Sequence, residues 1–155
     1  MKNSKSNAIA ILKDDHEKVT KLFNQFKSAD KANNGSKKSA IVEEIAAALN
    51  VHASVEEEIF YPAVKKARAE ETKDEVREAY EEHKQIKALL AALSKTASDD
   101  DTFDSKVKVL QEDVEHHVKE EEGQMFPDAK KFLGNEKLQA LGEQIAARKE
   151  ELERA

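Results

Sequence analysis

The chain has no cysteine and no tryptophan, only two prolines and four glycines, and 5% aromatic residues. Without thiols there are no disulfides, thiolate nucleophiles, zinc fingers or cysteine-ligated iron–sulfur clusters. So little Gly and Pro leaves scant material for β-turns or phosphate-cradling loops. No apolar run reaches 18 residues, and the opening stretch MKNSKSNAIAIL lacks a sustained apolar core, so neither a membrane span nor a secretory signal is expected. The 26 basic residues are outnumbered by 32 acidic ones, the net charge is −6, and no basic arm stands out; nucleic acid is not an expected partner. At 155 residues the chain is one domain long. The expectation is a cytoplasmic, all-α protein, monomeric or weakly dimeric.

What is present is Ala, Leu, Glu and Lys, all good helix formers. Breaker signals at 31–39 (KANNGSKKS), 70–72, 94–102 (SKTASDDDT) and 134–135 divide the chain into segments at about 6–29, 39–69, 73–95 and 103–131, with a shorter one at 136–153. Short connections favour antiparallel neighbours, which predicts an up-down-up-down four-helix bundle over about 6–132 and an additional C-terminal helix. That last helix carries Leu138, Leu141, Ile145 and Leu152 on one stripe, suited to packing on the outside of the bundle.

The four bundle segments each show apolar residues at steps of three and four, the mark of a face turned inward. Six polar residues interrupt those stripes: His16, His52, Glu56, His83, His117 and Glu121. The interruptions repeat. HASVEEEIFYPAVKKA at 52–67 matches HVKEEEGQMFPDAKKF at 117–132 at an offset of 65, and DDHEKVTKLF at 14–23 resembles EEHKQIKALL at 81–90 at an offset of 67. Each half thus reads as a helical hairpin with one His on its first helix and His-x-x-x-Glu on its second. Residues i and i+4 share a helix face, so both halves can present a nitrogen and an oxygen to one point in the core. Bundle cores built this way house di-iron and di-manganese carboxylate sites, and a Glu between two cations can bridge them.

One inward His is an ordinary core residue. Four of them with two Glu, and no Lys or Arg on the same stripes, point to bound cations, because an uncompensated buried carboxylate costs several kcal/mol. Without metal, protonated Glu and water are the expected filling. The fifth histidine, His116, falls off the stripe and is expected at the surface or behind the ligands. Pro62 and Pro127 are expected to kink their helices just past the site.

His16 in DDHEK, His52 in HASVEEEIFYP, His83 in EEHK and His117 in HHVKEEEGQMFP resemble the hemerythrin-like, or HHE cation-binding, family over about residues 8–132. The resemblance implies a four-helix bundle holding two non-haem iron ions, oxo- or carboxylate-bridged. His16, His52, Glu56, His83, His117 and Glu121 would be the ligands, the two Glu bridging. It also implies binding or sensing of dioxygen, redox state or iron, or, as in some relatives, chemistry on nitric oxide or peroxide. Two departures from hemerythrin itself stand out. Its third helix carries two His spaced by four, whereas Ala79 and Lys87 flank His83 at that spacing. Its last acid is an Asp five residues after the His, whereas Glu121 follows His117 by four. Tyr80 or water is left to fill the remaining position, and sensing, iron handling or redox chemistry fits better than oxygen transport. Ile59, Ile86, Val114 and Phe23 are the expected apolar surround of a small diatomic ligand or peroxide.

Overall fold

The computed structural model describes residues 7–154. Ser6, where the first segment is expected to begin, lies outside the described residues. Helix α1 (Ala8–Lys31) starts where the Asn7 side chain accepts a hydrogen bond from the Ala10 N–H at 2.9 Å, occupying one of the donors a helix start leaves free. Only residues 32–34 separate it from α2 (Gly35–Val55), with Asn33 in the left-handed region at φ 54°. Asn34 then caps α2 by accepting from the Lys37 N–H at 3.1 Å. The expected loop at 31–39 is therefore shorter than its composition suggests, because the polar N-N-G-S run supplies a reversal, a cap and a first helical turn. Within that turn Lys38 is buried and pairs with Asp30 at 2.8 Å and Asp104 at 2.7 Å, tying α1 and α2 to the helix that begins at Phe103.

Helix α2 continues through a π-turn, Glu56–Phe60, into α3 (Tyr61–Ala67). Pro62 explains the π-turn: it has no N–H to donate, and the preceding Tyr61 N–H reaches back five residues to the Glu56 carbonyl. The same device recurs between α5 (Phe103–Glu120) and α6 (Phe126–Arg154), where Glu121–Met125 form the second π-turn and the Phe126 N–H reaches the Glu121 carbonyl ahead of Pro127. Each proline is thus accommodated by a widened turn just before it. Between α3 and α4 (Ala69–Ser94) only Arg68 leaves helical geometry, so residues 70–72, expected as a loop, are instead the first turn of α4. Buried Thr72 closes that corner, its hydroxyl set against the Arg68 carbonyl at 2.9 Å and the Val64 carbonyl at 3.3 Å. Helix α6 is broken at Gly134, whose φ of 83° and ψ of 168° suit glycine alone, and residues 135–154 form the expected C-terminal helix.

The architecture is all-α, a helical bundle with no strand among the described residues. Nor is any described helix long and apolar enough to cross a membrane. Two apolar clusters fill the interior. One, toward the 32–34 loop, holds Phe23, Phe26, Ile45, Leu90 and Leu110. The other, toward the chain ends, gathers Leu12, Phe60, Val64, Phe126, Leu138, Leu141 and Ile145. The C-terminal helix therefore contributes to the core. Between the clusters lies a single buried polar layer.

Candidate metal centre

That layer consists of His16, His52, Glu56, His83, His117 and Glu121, all 6% exposed or less. All six polar residues that interrupt the apolar stripes meet here, on α1, on α2 and its π-turn, on α4, and on α5 and its π-turn. They form two groups of candidate ligands, His16–His52–Glu56–Glu121 and Glu56–His83–His117–Glu121, within each of which the donor atoms lie within 4.8 Å of one another. His16 Nε2 is 3.1 Å from Glu121 Oε1, and His83 Nε2 is 3.1 Å from Glu56 Oε1. Within each hairpin, His52 Nε2 is 3.2 Å from Glu56 Oε1 and His117 Nε2 is 3.2 Å from Glu121 Oε2. Glu56 and Glu121 belong to both groups and stand between them.

Behind the imidazoles stands a second ring of acids that the sequence reading passed over. His16 Nδ1 is 2.7 Å from Glu122, His52 Nδ1 2.8 Å from Asp15, His83 Nδ1 2.7 Å from Glu57 and His117 Nδ1 2.6 Å from Glu82. A carboxylate only accepts, so each Nδ1 carries the hydrogen and each Nε2 is turned toward the two glutamates. This is how metal-binding histidines are oriented and made more basic. The pattern obeys the internal repeat: Asp15 and Glu82 serve the histidine of their own hairpin, while Glu57 and Glu122 reach across to the other. Their signal lay in the runs EEE and the pairs DH and EH, which look like solvated charge until each is matched with its repeat mate. His116 is exposed, at 64% of its side chain, and sits 3.0 Å from Glu120 and 3.4 Å from Glu82.

One core residue was missed altogether. The Tyr61 hydroxyl is fully buried within the layer, 3.0 Å from Glu56 Oε1, 3.2 Å from His83 Nε2 and 3.3 Å from His117 Nε2, and it donates to Glu121 Oε2. Tyr80, the expected candidate, instead donates to the Glu57 carbonyl at 3.2 Å, outside the cluster. The repeat mate of Tyr61 is Phe126, whose ring stacks on His16 with centroids 5.8 Å apart and planes 7° from parallel. The two candidate metal positions therefore differ: a phenol beside His83 and His117, an apolar ring beside His16.

Burial opposes charge on Glu56, Glu121, His52 and His117, and their mutual attraction overrides it. Glu56, despite burial and the repelling charge of Glu121, is lowered to about 2 by His52 and His117. Glu121 is held well below the ordinary carboxylate range by His117, His16 and His52. His52 and His117 are correspondingly raised, against burial, by Glu56 with Asp15 and by Glu121 with Glu82. Tyr61 keeps its proton because burial and both glutamate charges push its phenol upward. The expectation of protonated Glu in a metal-free core is not what these directions favour: both glutamates are held toward the ionised form and His52 and His117 toward the protonated one, each offsetting the burial of the other.

The residues fit a pair of cations. Two enclosed atoms of the layer, His52 Nε2 and Glu56 Oε2, make no hydrogen bond, although His52 Nε2 lies 3.2 Å from Glu56 Oε1, and a buried polar atom without a hydrogen bond calls for a water or an ion. The donor set is nitrogen and oxygen without sulfur, which suits iron, manganese, zinc, copper or nickel. Against the imidazoles lies a cavity of about 20 Å³ lined by Val19, Leu49, Ile86, Leu90 and Val114. Ile86 and Val114 thus meet the expected apolar surround. Phe23 packs in the neighbouring apolar cluster, and Ile59 is half-buried against the opposite one.

Comparison with known proteins agrees with this geometry. The family described as the hemerythrin HHE cation binding domain matches residues 7–129. A DNA nickase of a Nostoc species is 27% identical over 92% of this chain, which spans only 39% of that protein's length. An uncharacterised protein of Mycobacterium tuberculosis is 26% identical over 94% of this chain and 87% of its own. A Mycobacterium kansasii protein related to the latter, solved as a hemerythrin HHE cation binding domain-containing protein, superposes with a TM-score of 0.81 at 26% identity, covering 94% of this chain and 86% of that one.

Proposed function

The chain belongs to the hemerythrin HHE cation binding domain family, and on that footing we propose that its polar layer binds two iron ions and, through them, binds or senses dioxygen or a molecule of similar size. One ion would be held by His16, His52, Glu56 and Glu121, the other by His83, His117, Glu56 and Glu121, with both glutamates bridging. The observation that carries the reading is the fourfold acid backing of the imidazoles, which aims every Nε2 at the same two carboxylates. Iron so held supplies a redox-active pair open to a small oxygen-derived ligand. The cavity limits what can approach: about 20 Å³ takes roughly one water-sized group, and its aliphatic lining keeps bulk water off the imidazole edges.

A second reading, a small redox enzyme that decomposes peroxide to water and dioxygen, gains support from Tyr61. Its phenol holds a proton at hydrogen-bond distance from both glutamates, providing the acid–base group that the ligand set alone lacks. The two readings separate in one experiment. Protein loaded anaerobically with ferrous ion is mixed with excess peroxide or air while the visible spectrum and the oxidant are followed together. Binding or sensing gives one stoichiometric spectral change, whereas turnover consumes many equivalents and falls about 10²-fold or more in Tyr61→Phe with metal content unchanged. Protein that takes up no iron, or zinc alone, overturns both. In the same assay Ile86→Ala is expected to hasten oxidation of the ferrous protein in air by opening the cavity; an unchanged rate would remove Ile86 from the access route.

A further inference from the structure

The C-terminal helix reaches the centre through one side chain. Lys149, on the segment beyond Gly134 and outside the part of the chain that the family matches, pairs with Asp15 Oδ1, while Asp15 Oδ2 takes the His52 Nδ1–H at 2.8 Å. Lysine, aspartate and histidine thus form a line into the layer, Lys149 20% and Asp15 13% exposed. Among the described residues, no lysine or arginine pairs with the acids behind His16 and His117: Glu122 meets His16, and Glu82 meets His117 and His116. Glu57, behind His83, meets Lys87 at 3.1 Å, but that pair is more open to solvent, at 25% and 45%, and so more strongly screened.

A carboxylate on Nδ1 lends negative charge to its imidazole and strengthens the bond that Nε2 makes. A cation on the other oxygen of the same carboxylate takes part of that charge away, the more so where water is excluded. We propose, resting on the dinuclear reading above, that Lys149 is a positioning residue of the centre: by holding and partly neutralising Asp15 it makes His52 the weaker donor, so that the His16/His52 position binds its cation less tightly than the His83/His117 position. The C-terminal helix thereby sets which of the two ions exchanges.

Ferrous affinity of the full-length protein, measured anaerobically by competition with a chromophoric chelator, tests this through the sign of the effects. Asp15→Asn is expected to weaken one of the two equivalents by roughly 10–100-fold. Lys149→Met is expected to tighten that same equivalent several-fold, and Lys149→Arg to match wild type. A salt bridge that merely docks the helix would make Asp15→Asn and Lys149→Met move in the same direction, so parallel weakening, or no change in Lys149→Met, overturns the proposal. Circular dichroism melts of the metal-free variants show that each folds. Wild-type protein that fails to bind two ferrous ions sinks the dinuclear reading itself, an outcome distinct from two bound ions with the wrong response to Lys149→Met.

Discussion

Replacing either Glu56 or Glu121 with alanine is expected to remove both metal ions, whereas His83→Ala removes only one. Each glutamate is shared by both four-residue groups, while each histidine belongs to one. On the dinuclear reading, loss of either carboxylate would leave two cations close together with less negative charge between them and one oxygen fewer each. Elemental analysis of protein purified without chelators should give about two ions per chain for wild type, near none for Glu56→Ala or Glu121→Ala, and about one for His83→Ala. The alanine variants are not expected to unfold for lack of metal. His52 is raised chiefly by Glu56 working against burial, so removing that charge lets the imidazole become neutral and leaves no stranded ion. Equal metal loss in all three variants would mean that the two positions fill only together.

Removing the metal from wild type is expected to lower its melting temperature by about 10 °C per occupied position, and by more as pH rises. A ligand present at about a thousandfold over its dissociation constant stabilises by about 4 kcal/mol, and in a domain of this size 1 kcal/mol is worth roughly 2–4 °C. The pH dependence follows from the protons already in the layer. His52 and His117 are raised above their unfolded value, so their contribution to the metal-free protein is complete below about pH 6.5 and is lost as pH climbs through their folded values. Glu56 and Glu121 are lowered, so their contribution is present above the ordinary Glu range and is lost only as pH falls toward about 2 for Glu56. Cations must displace the two imidazole protons, so their binding strengthens with pH. The gap between metal-loaded and chelator-treated melting temperatures should therefore widen as pH rises above about 6.5, with protons released on loading. A gap that is flat with pH would show that the imidazoles are already deprotonated in the metal-free protein.

The bundle and all six core residues were legible in the sequence, because apolar steps of three and four point inward wherever a helix keeps its α-period and because the two halves repeat. Tyr61 was not legible for the reason that the others were. At 3.6 residues per turn, a residue five places after Glu56 leaves the inward face, and the stripe runs through Ile59 instead. The π-turn over Glu56–Phe60 adds a residue to that turn and rotates Tyr61 into the layer and Ile59 partly out. The clue was Pro62, together with Pro127 at the same place in the repeat: a proline that costs a helix one hydrogen bond is a reason to abandon the α-period before it. Asp15, Glu57, Glu82 and Glu122 were hidden by composition, since 37% of the chain is charged and runs of acid mostly face water. Lys149 could not be found by local pattern at all, because its partner Asp15 is 134 residues away.

The sharing of Glu56 and Glu121 across the two hairpins has a consequence for how the protein comes together. Three of the four donors at either position come from one hairpin and the fourth from the other, so an isolated hairpin offers a cation an incomplete set. A metal held as proposed above would therefore find no complete set of donors on either hairpin alone. It would act once the two hairpins have docked, holding closed a seam that already exists. On the dinuclear reading its effect falls on residence time: metal-loaded chains are expected to fold no faster than bare ones but to open more slowly, and a protease that waits for the bundle to part is expected to find the loaded protein resistant long after the bare one has been cut.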